Sequence, residues 1–315
     1  MVDSRRRKTL KIEPERRGRR VHHVYGTIFF FAILFLSAGR PADAEDTFRI
    51  KVLPSIVKQG EVCVITVSGP ASMKSVYGEF RGEKFPMVLE EQNETYMGLL
   101  GIDMEIRPAR YEIKVGATDG KGAVYLSAHS LKVENVDFGI QRLWLPSYMV
   151  DLDAKTLERV NEESKQLKAL FQAYREERLW RGAFIRPVDG ELSASFGLRR
   201  IINDQPRSPH TGIDLGAEEG TPILASNSAV VVLVDDLFFG GKSVILDHGW
   251  GIYSMYFHLS EVLVLKGDRI SKGAILGRVG STGRSTRPHL HWGIRMNGAR
   301  VDPLSLVRLT ENLRE

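Results

Sequence analysis

One cysteine in 315 residues, Cys63, excludes an intramolecular disulfide and any zinc site built on thiolates. No His-Glu-x-x-His is present, so a glutamate base on a metal-binding helix is excluded too. Ser281-Thr282-Gly283 precedes neither a Gly-Lys-Ser/Thr nor a helical pattern, which removes nucleotide binding through a phosphate loop. The one apolar run near the N-terminus, Tyr25 to Ala38, is short for a bilayer span. Positive charge is also missing from most of the chain. Residues 1–44 hold ten Lys/Arg and four Asp/Glu, against 34 and 35 in the remainder. The basic balance therefore belongs to the leader, and the body offers no electrostatic footprint for nucleic acid.

The leader has the parts of an export signal: basic residues from Arg5 to Arg20, an apolar core, and Ala42-Asp43-Ala44 with small residues at −3 and −1. Residues 1–44 are read as a signal peptide cleaved before Glu45, with an uncleaved signal anchor as the rival. No cysteine follows it that could carry a lipid. The protein is expected to be exported to the periplasm or cell envelope, anchored to the inner membrane only if the signal stays attached.

From Phe48 to about Val136 the chain reads as short strands, among them Val62–Val67, Val76–Phe80, Tyr96–Leu100, Tyr111–Val115 and Val124–His129. Breakers such as Gly69-Pro70 and Asp119-Gly120 separate them at the spacing of an immunoglobulin-like β-sandwich, assigned to residues 45–136. Cys63 lies inside an apolar run and is read as a buried small hydrophobe. From Asp153 the apolar period becomes helical, through Leu157, Val160, Leu167, Phe171 and Tyr174. Asp153 is expected to cap a helix reaching about Leu179 within a connector over residues 137–182. The remainder, 183–309, returns to short strands and close glycine turns and is read as an all-β, antiparallel domain.

That domain holds five of the eight histidines: His210, His248, His258, His289 and His291. In Pro288-His289-Leu290-His291 a strand would aim both imidazoles to one face. Asp214 stands four residues after His210. A catalytic zinc takes three N and O ligands and keeps the fourth position open, so His210, Asp214 and one of His289 and His291 would complete such a set. His248 is read as a structural residue beside the site. The loop from Asn203 to Pro209 is either a groove wall or a plain surface loop.

Three ordered motifs, His210-Thr-Gly-Ile-Asp214, Tyr256-Phe-His258-Leu and Gly280-Ser-Thr-Gly-Arg-Ser-Thr-Arg-Pro-His289-Leu-His291, together resemble the LytM/lysostaphin-type zinc metallopeptidases, which cut peptide cross-links of bacterial peptidoglycan. The resemblance runs from about Pro187, through Ser195-Phe-Gly-Leu-Arg199, to Asp302-Pro303. It implies one zinc ion held by His210, Asp214 and His291, with His258 and His289 as the unligated catalytic pair, and leaves open which of the two is the base. It implies an endopeptidase acting on peptidoglycan peptide stems. The alternative is a non-catalytic LytM-like protein that binds cell wall or activates another hydrolase. A further option is that the sandwich and connector hold the enzyme latent.

Overall fold

The computed structural model describes residues 48–69, 73–90 and 94–313. The export signal expected over residues 1–44 lies outside them. Among the described residues no helix is long and apolar enough to cross a membrane. The architecture is mainly β.

The N-terminal part is a two-sheet sandwich. One sheet orders strands Arg49–Leu53, Val62–Ser68, Thr95–Gly101 and Val88–Glu90; the other orders Ile56–Lys58, Val124–Glu134, Ala109–Asp119, Met73–Phe80 and Glu83–Pro86. The expected strands are present. Three others, Ile56–Lys58, Glu83–Pro86 and Val88–Glu90, are too short to show a period in sequence.

Strand Val62–Ser68 explains why its residues form an unbroken apolar run rather than an alternation. Cys63, Ile65 and Val67 point between the two sheets, while Val62 and Val64 join the core of the C-terminal part. Both faces are buried, so both need apolar side chains. Burial pushes the Cys63 thiol up to about 12, which makes it inert.

In the C-terminal part ten described strands form one antiparallel sheet. Its main path runs Glu191–Ala194, Gly212–Gly216, Leu290–Met296, Ile252–Val262, Gly241–Asp247, Ala229–Leu237 and Arg269–Ile270. Trp180, Phe184, Tyr256 and Trp292 fill the core behind it. The reading as all-β is corrected at its end, where Pro303–Glu311 is a helix capped by the Asp302 carboxylate. Proline at its first position and an acidic cap are helix-start signals that a strand-rich context outweighed in sequence. Ser305 of this helix accepts a hydrogen bond from the Val62 amide at 3.1 Å.

The connector helix spans Ala154–Gln172, with the Asp153 side chain accepting from the Thr156 amide. Leu167, Leu170 and Phe171 pack on Leu233, Ile245, Tyr253 and Met255, so the helix lies on the outer face of the C-terminal sheet. It stops seven residues before the expected end. The backbone turns extended at Ala173, whose carbonyl accepts from the Tyr253 hydroxyl at 2.6 Å. Beyond it, the carbonyls of Arg175 and Glu176 accept from Trp250, and the Leu179 amide donates to the His248 carbonyl. These long-range bonds outweigh a local propensity to continue.

Sandwich and C-terminal sheet share one apolar cluster containing Val64, Leu99, Trp180, Met296 and Leu306. Each such side chain contributes at most about 1.5–3 kcal/mol. Gly101 lets the two parts approach, since a Cβ there would lie 2.9 Å from Val301. Arg300 crosses the seam to the Asp103 carboxylate, with Nε and Nη2 at 2.9 and 2.6 Å. Burial raises the Asp103 carboxyl, but the hydrogen bonds from Arg300 outweigh it and hold the group below its ordinary 3.8. The Asp103 contribution is therefore present above pH 3.8 and lost as pH falls through the lower folded value. Asp103→Ala is expected to lower unfolding stability by about 1–3 kcal/mol, by loss of charged hydrogen bonds, in denaturant titrations between pH 5 and 7. The gap from the unmodified protein should shrink on further acidification.

Candidate metal centre and cleft

Strands Gly212–Gly216 and Leu290–Met296 pair antiparallel with Asp214 directly opposite His291, which puts the carboxylate and imidazole side by side on one face. His210 enters from the loop before the first strand. Its backbone is clamped by Gly197 and Leu198, and its Nδ1 donates to the Ser195 carbonyl at 2.8 Å. The Ser195-Phe-Gly-Leu segment therefore aims the first histidine. Gly212 is required beside it, because a Cβ would lie 2.8 Å from His291 Nε2 and 2.5 Å from the Trp292 carbonyl.

The three donor atoms converge. His210 Nε2 lies 2.8 Å from Asp214 Oδ1 and 2.9 Å from His291 Nδ1, and His291 Nδ1 lies 2.9 Å from the same oxygen. All three residues are buried. A carbonyl only accepts, so the proton of neutral His210 resides on Nδ1 and its Nε2 is bare. His291 Nδ1 lies within hydrogen-bond reach of both that nitrogen and the Asp214 oxygen, so one proton or one cation can be shared among the three atoms. The set fits a divalent cation with N and O ligands. Burial raises the Asp214 carboxyl, but the two imidazoles beside it outweigh this and hold it well below the usual carboxylate range. Burial first of all lowers His291 to about 4, so its ring is neutral and ready to ligate at neutral pH.

His258 and His289 stand beside this set rather than in it. Strand Ile252–Val262 has a register irregularity between Tyr256 and Leu259 that encloses His258, whose backbone adopts φ +68°. The bulge re-aims the imidazole toward the cluster. His258 Nδ1 donates to the Thr282 carbonyl at 2.8 Å, and His289 Nδ1 to the Arg287 carbonyl at 2.9 Å. Both Nε2 atoms are left as acceptors, and that of His289 lies 3.8 Å from Asp214 Oδ1. The two rings are 4.8 Å apart between centroids. Burial, then the neighbouring His289 and His291, lower His258 to about 3. His289 precedes its strand, which begins at Leu290, and forms a single bridge with Gly280. Gly283 allows that loop to close, since a Cβ there would sit 2.2 Å from the Gly241 amide.

His248 lies in the core behind the sheet and is fully buried. Its Nδ1 donates to the Ser228 carbonyl at 2.9 Å and its Nε2 lies 2.7 Å from the Ser254 hydroxyl. Both contacts suit the neutral ring, and burial lowers the group to about 4.

A cleft of about 250 Å³ opens on Asp214, His258 and His289. Its other lining residues include Gln141, Leu143, Leu145, Arg200 and Arg284. The loop from Asn203 to Pro209 is absent from that lining; Asn203 instead holds Leu145 through two hydrogen bonds of 2.9 Å. The wall is connector strand Ile140–Leu143, which pairs in parallel with Arg199–Ile202. Nothing in Gln141-Arg142-Leu143 marks it as a groove wall. Arg200 links the wall to the donor cluster, donating Nε to Gln141 Oε1 at 3.2 Å and Nη2 to Asp214 Oδ2 at 3.5 Å. It lies next to Arg199 in the motif segment, a signal that could have flagged it. Arg284 stacks over the Phe239 ring at 4.0 Å, and burial, then Arg200 and Arg207, lower it to about 10. It remains charged at neutral pH.

Residues 208–303 match Peptidase family M23. Over 145 residues the chain is 33% identical to peptidoglycan DD-endopeptidase ShyA of Vibrio cholerae, covering 46% of this chain and 31% of that protein. Over 122 residues it is 41% identical to DD-carboxypeptidase/endopeptidase Mpg of Neisseria meningitidis, covering 39% and 28%. The chain thus spans about a third of the length of these relatives. The crystal structure of a peptidase M23 protein from Pseudomonas aeruginosa, described as putative in function, superposes over 80% of this chain and 95% of that one. Its TM-score is 0.60 at 28% identity.

Two outcomes are expected from this geometry. His291→Ala should purify with little bound metal, whereas His289→Ala should retain it, as measured by elemental analysis of both proteins. His248 has a folded value of about 4 against an ordinary 6.5, so the unfolded chain binds more protons between those values and stability rises with pH across them. Acidification from pH 7 to 4 should therefore destabilise the protein through this residue, by about 3 kcal/mol at most. In His248→Gln the fall in unfolding free energy over that range should be shallower than in the unmodified protein.

Proposed function

Because the chain carries a domain of peptidase family M23, we propose that it is a zinc endopeptidase that hydrolyses peptide cross-links of bacterial peptidoglycan. The observation that carries the reading is the buried convergence of His210, Asp214 and His291, with two further imidazoles, His258 and His289, turned toward it without joining it. Peptidoglycan as substrate is supported by the names of the relatives in Vibrio cholerae and Neisseria meningitidis. Export to the cell envelope follows from that substrate and from the basic, then apolar, leader at 1–44.

In this reading His210, Asp214 and His291 hold one zinc ion, which supplies Lewis acidity toward the scissile carbonyl and toward water. His210 is oriented by Ser195, and Asp214 by Arg200 at its second oxygen, so the ligands are set before substrate arrives. The bare Nε2 atoms of His258 and His289 do the remaining work. One accepts the proton of the attacking water, and the pair then holds that proton for delivery to the leaving amine. An imidazolium formed there also faces the charge that develops on the carbonyl oxygen. The Thr282 and Arg287 carbonyls fix both rings in the tautomer this role needs.

The chain is read as leader 1–44, sandwich 45–136, connector 137–182 and peptidase part 183–309. The connector also supplies one wall of the cleft, so truncation near Arg181 would remove part of the site. A test of latency therefore has to keep the strand from Ile140.

Isolated sacculi treated with the zinc-loaded protein should release muropeptides, and His289→Ala should do so about 10²–10⁴-fold more slowly, the usual worth of a positioned acid or base. Zinc bound in both proteins with no release by either would sink the catalytic reading and favour a wall-binding or hydrolase-activating role.

A further inference from the structure

The cleft beside the histidines carries more positive charge than its own residues neutralise. Arg200, Arg284 and Arg287 line it, and the one acid among the lining residues, Asp214, belongs to the ligand set. Other arginines of this fold are matched: Arg175 by Asp247, Arg278 by Glu261 and Arg300 by Asp103. Arg284 has no carboxylate partner among the described residues. Its guanidinium carbon lies 4.0 Å from the centre of the Phe239 ring, and its backbone amide donates to the Phe239 carbonyl. No hydrogen bond of the guanidinium occurs among the described residues, so its N–H donors are left unused. Arg200 commits Nε and Nη2 to Gln141 and Asp214, which leaves its Nη1 without a hydrogen bond among the described residues.

A half-buried cation without a counter-charge is costly, and a carboxylate that meets its edge recovers that cost through short, often paired, charge-assisted bonds. We propose that Arg284, with Arg200 in the same cleft, forms a subsite for a free carboxylate of the peptide substrate. The subsite makes the protein prefer an acidic peptide over its amidated counterpart. This rests on the endopeptidase reading above, and it names the group on the substrate that the cleft recognises. Two carboxylates of a cross-linked stem fit the chemistry: that on the side chain of the diamino acid and that at the peptide C-terminus.

Two pairs of synthetic cross-linked peptides separate these sources. In one pair the diamino-acid carboxyl is free or a primary amide, and in the other the C-terminal carboxyl is free or a primary amide. Cleavage rates and calorimetric affinities are measured with the zinc-loaded protein, Arg284→Gln and Arg284→Lys. The unmodified protein should favour the acid in one pair by roughly tenfold to a hundredfold in kcat/KM, the worth of hydrogen bonds to a charged group. Arg284→Gln should erase that preference, chiefly through KM, at unchanged zinc content, and Arg284→Lys should restore part of it. Equal treatment of acid and amide in both pairs overturns the subsite, as does a preference that survives in Arg284→Gln. If the unmodified protein cleaves none of the four peptides, it is the endopeptidase reading that falls. The subsite is then judged on the calorimetric affinities alone, and equal binding of acid and amide overturns it.

Discussion

Three electron-pair donors held within 2.9 Å of one another in a buried site form the constraint on which the rest of this structure depends. Polar groups so placed have given up water, so the surrounding fold has to hold them in register through other bonds. The antiparallel pairing of Asp214 with His291 provides two of the three. The clamp of Gly197 and Leu198 on His210 provides the third. Tyr256 and Trp292 pack behind these strands, and their rigidity keeps the donors from drifting apart.

The sandwich is more than an appendage. Its strand Val62–Ser68 shares side chains with both cores, and the helix Pro303–Glu311 closes against it. The connector completes the assembly by running its helix over the outer face of the C-terminal sheet and its strand Ile140–Leu143 along the cleft. Through Gln141 and Arg200 that strand reaches the second oxygen of Asp214. A segment between two folded parts thus helps orient a member of the buried donor cluster, in the way that partners behind a ligand commonly do.

The mainly β architecture and most strands were legible in sequence because apolar alternation and glycine turns act over a few residues. The helix start at Asp153 was legible for the same reason. Its end was not, since Ala173 to Leu179 leave the helix for partners at His248, Trp250 and Tyr253, more than sixty residues away. The groove wall was left undecided on the same ground. Asn203 to Pro209 is near His210 in sequence, but a parallel pairing brings Ile140–Leu143 from much further away to the cleft itself.

The sequence by itself determined the inventory of the site: which histidines and which aspartate occur, in what order, and that no cysteine or helical glutamate could take their place. Those are properties of residue type and short spacing. Tertiary structure decided their division of labour in space, with His258 turned inward by a bulge and His289 left just outside the donor set. It also decided that Arg200, Arg284 and Gln141 would face the same cleft. Such neighbours are fixed by long-range strand pairing and by bulges, and neither leaves a local periodic trace in the chain.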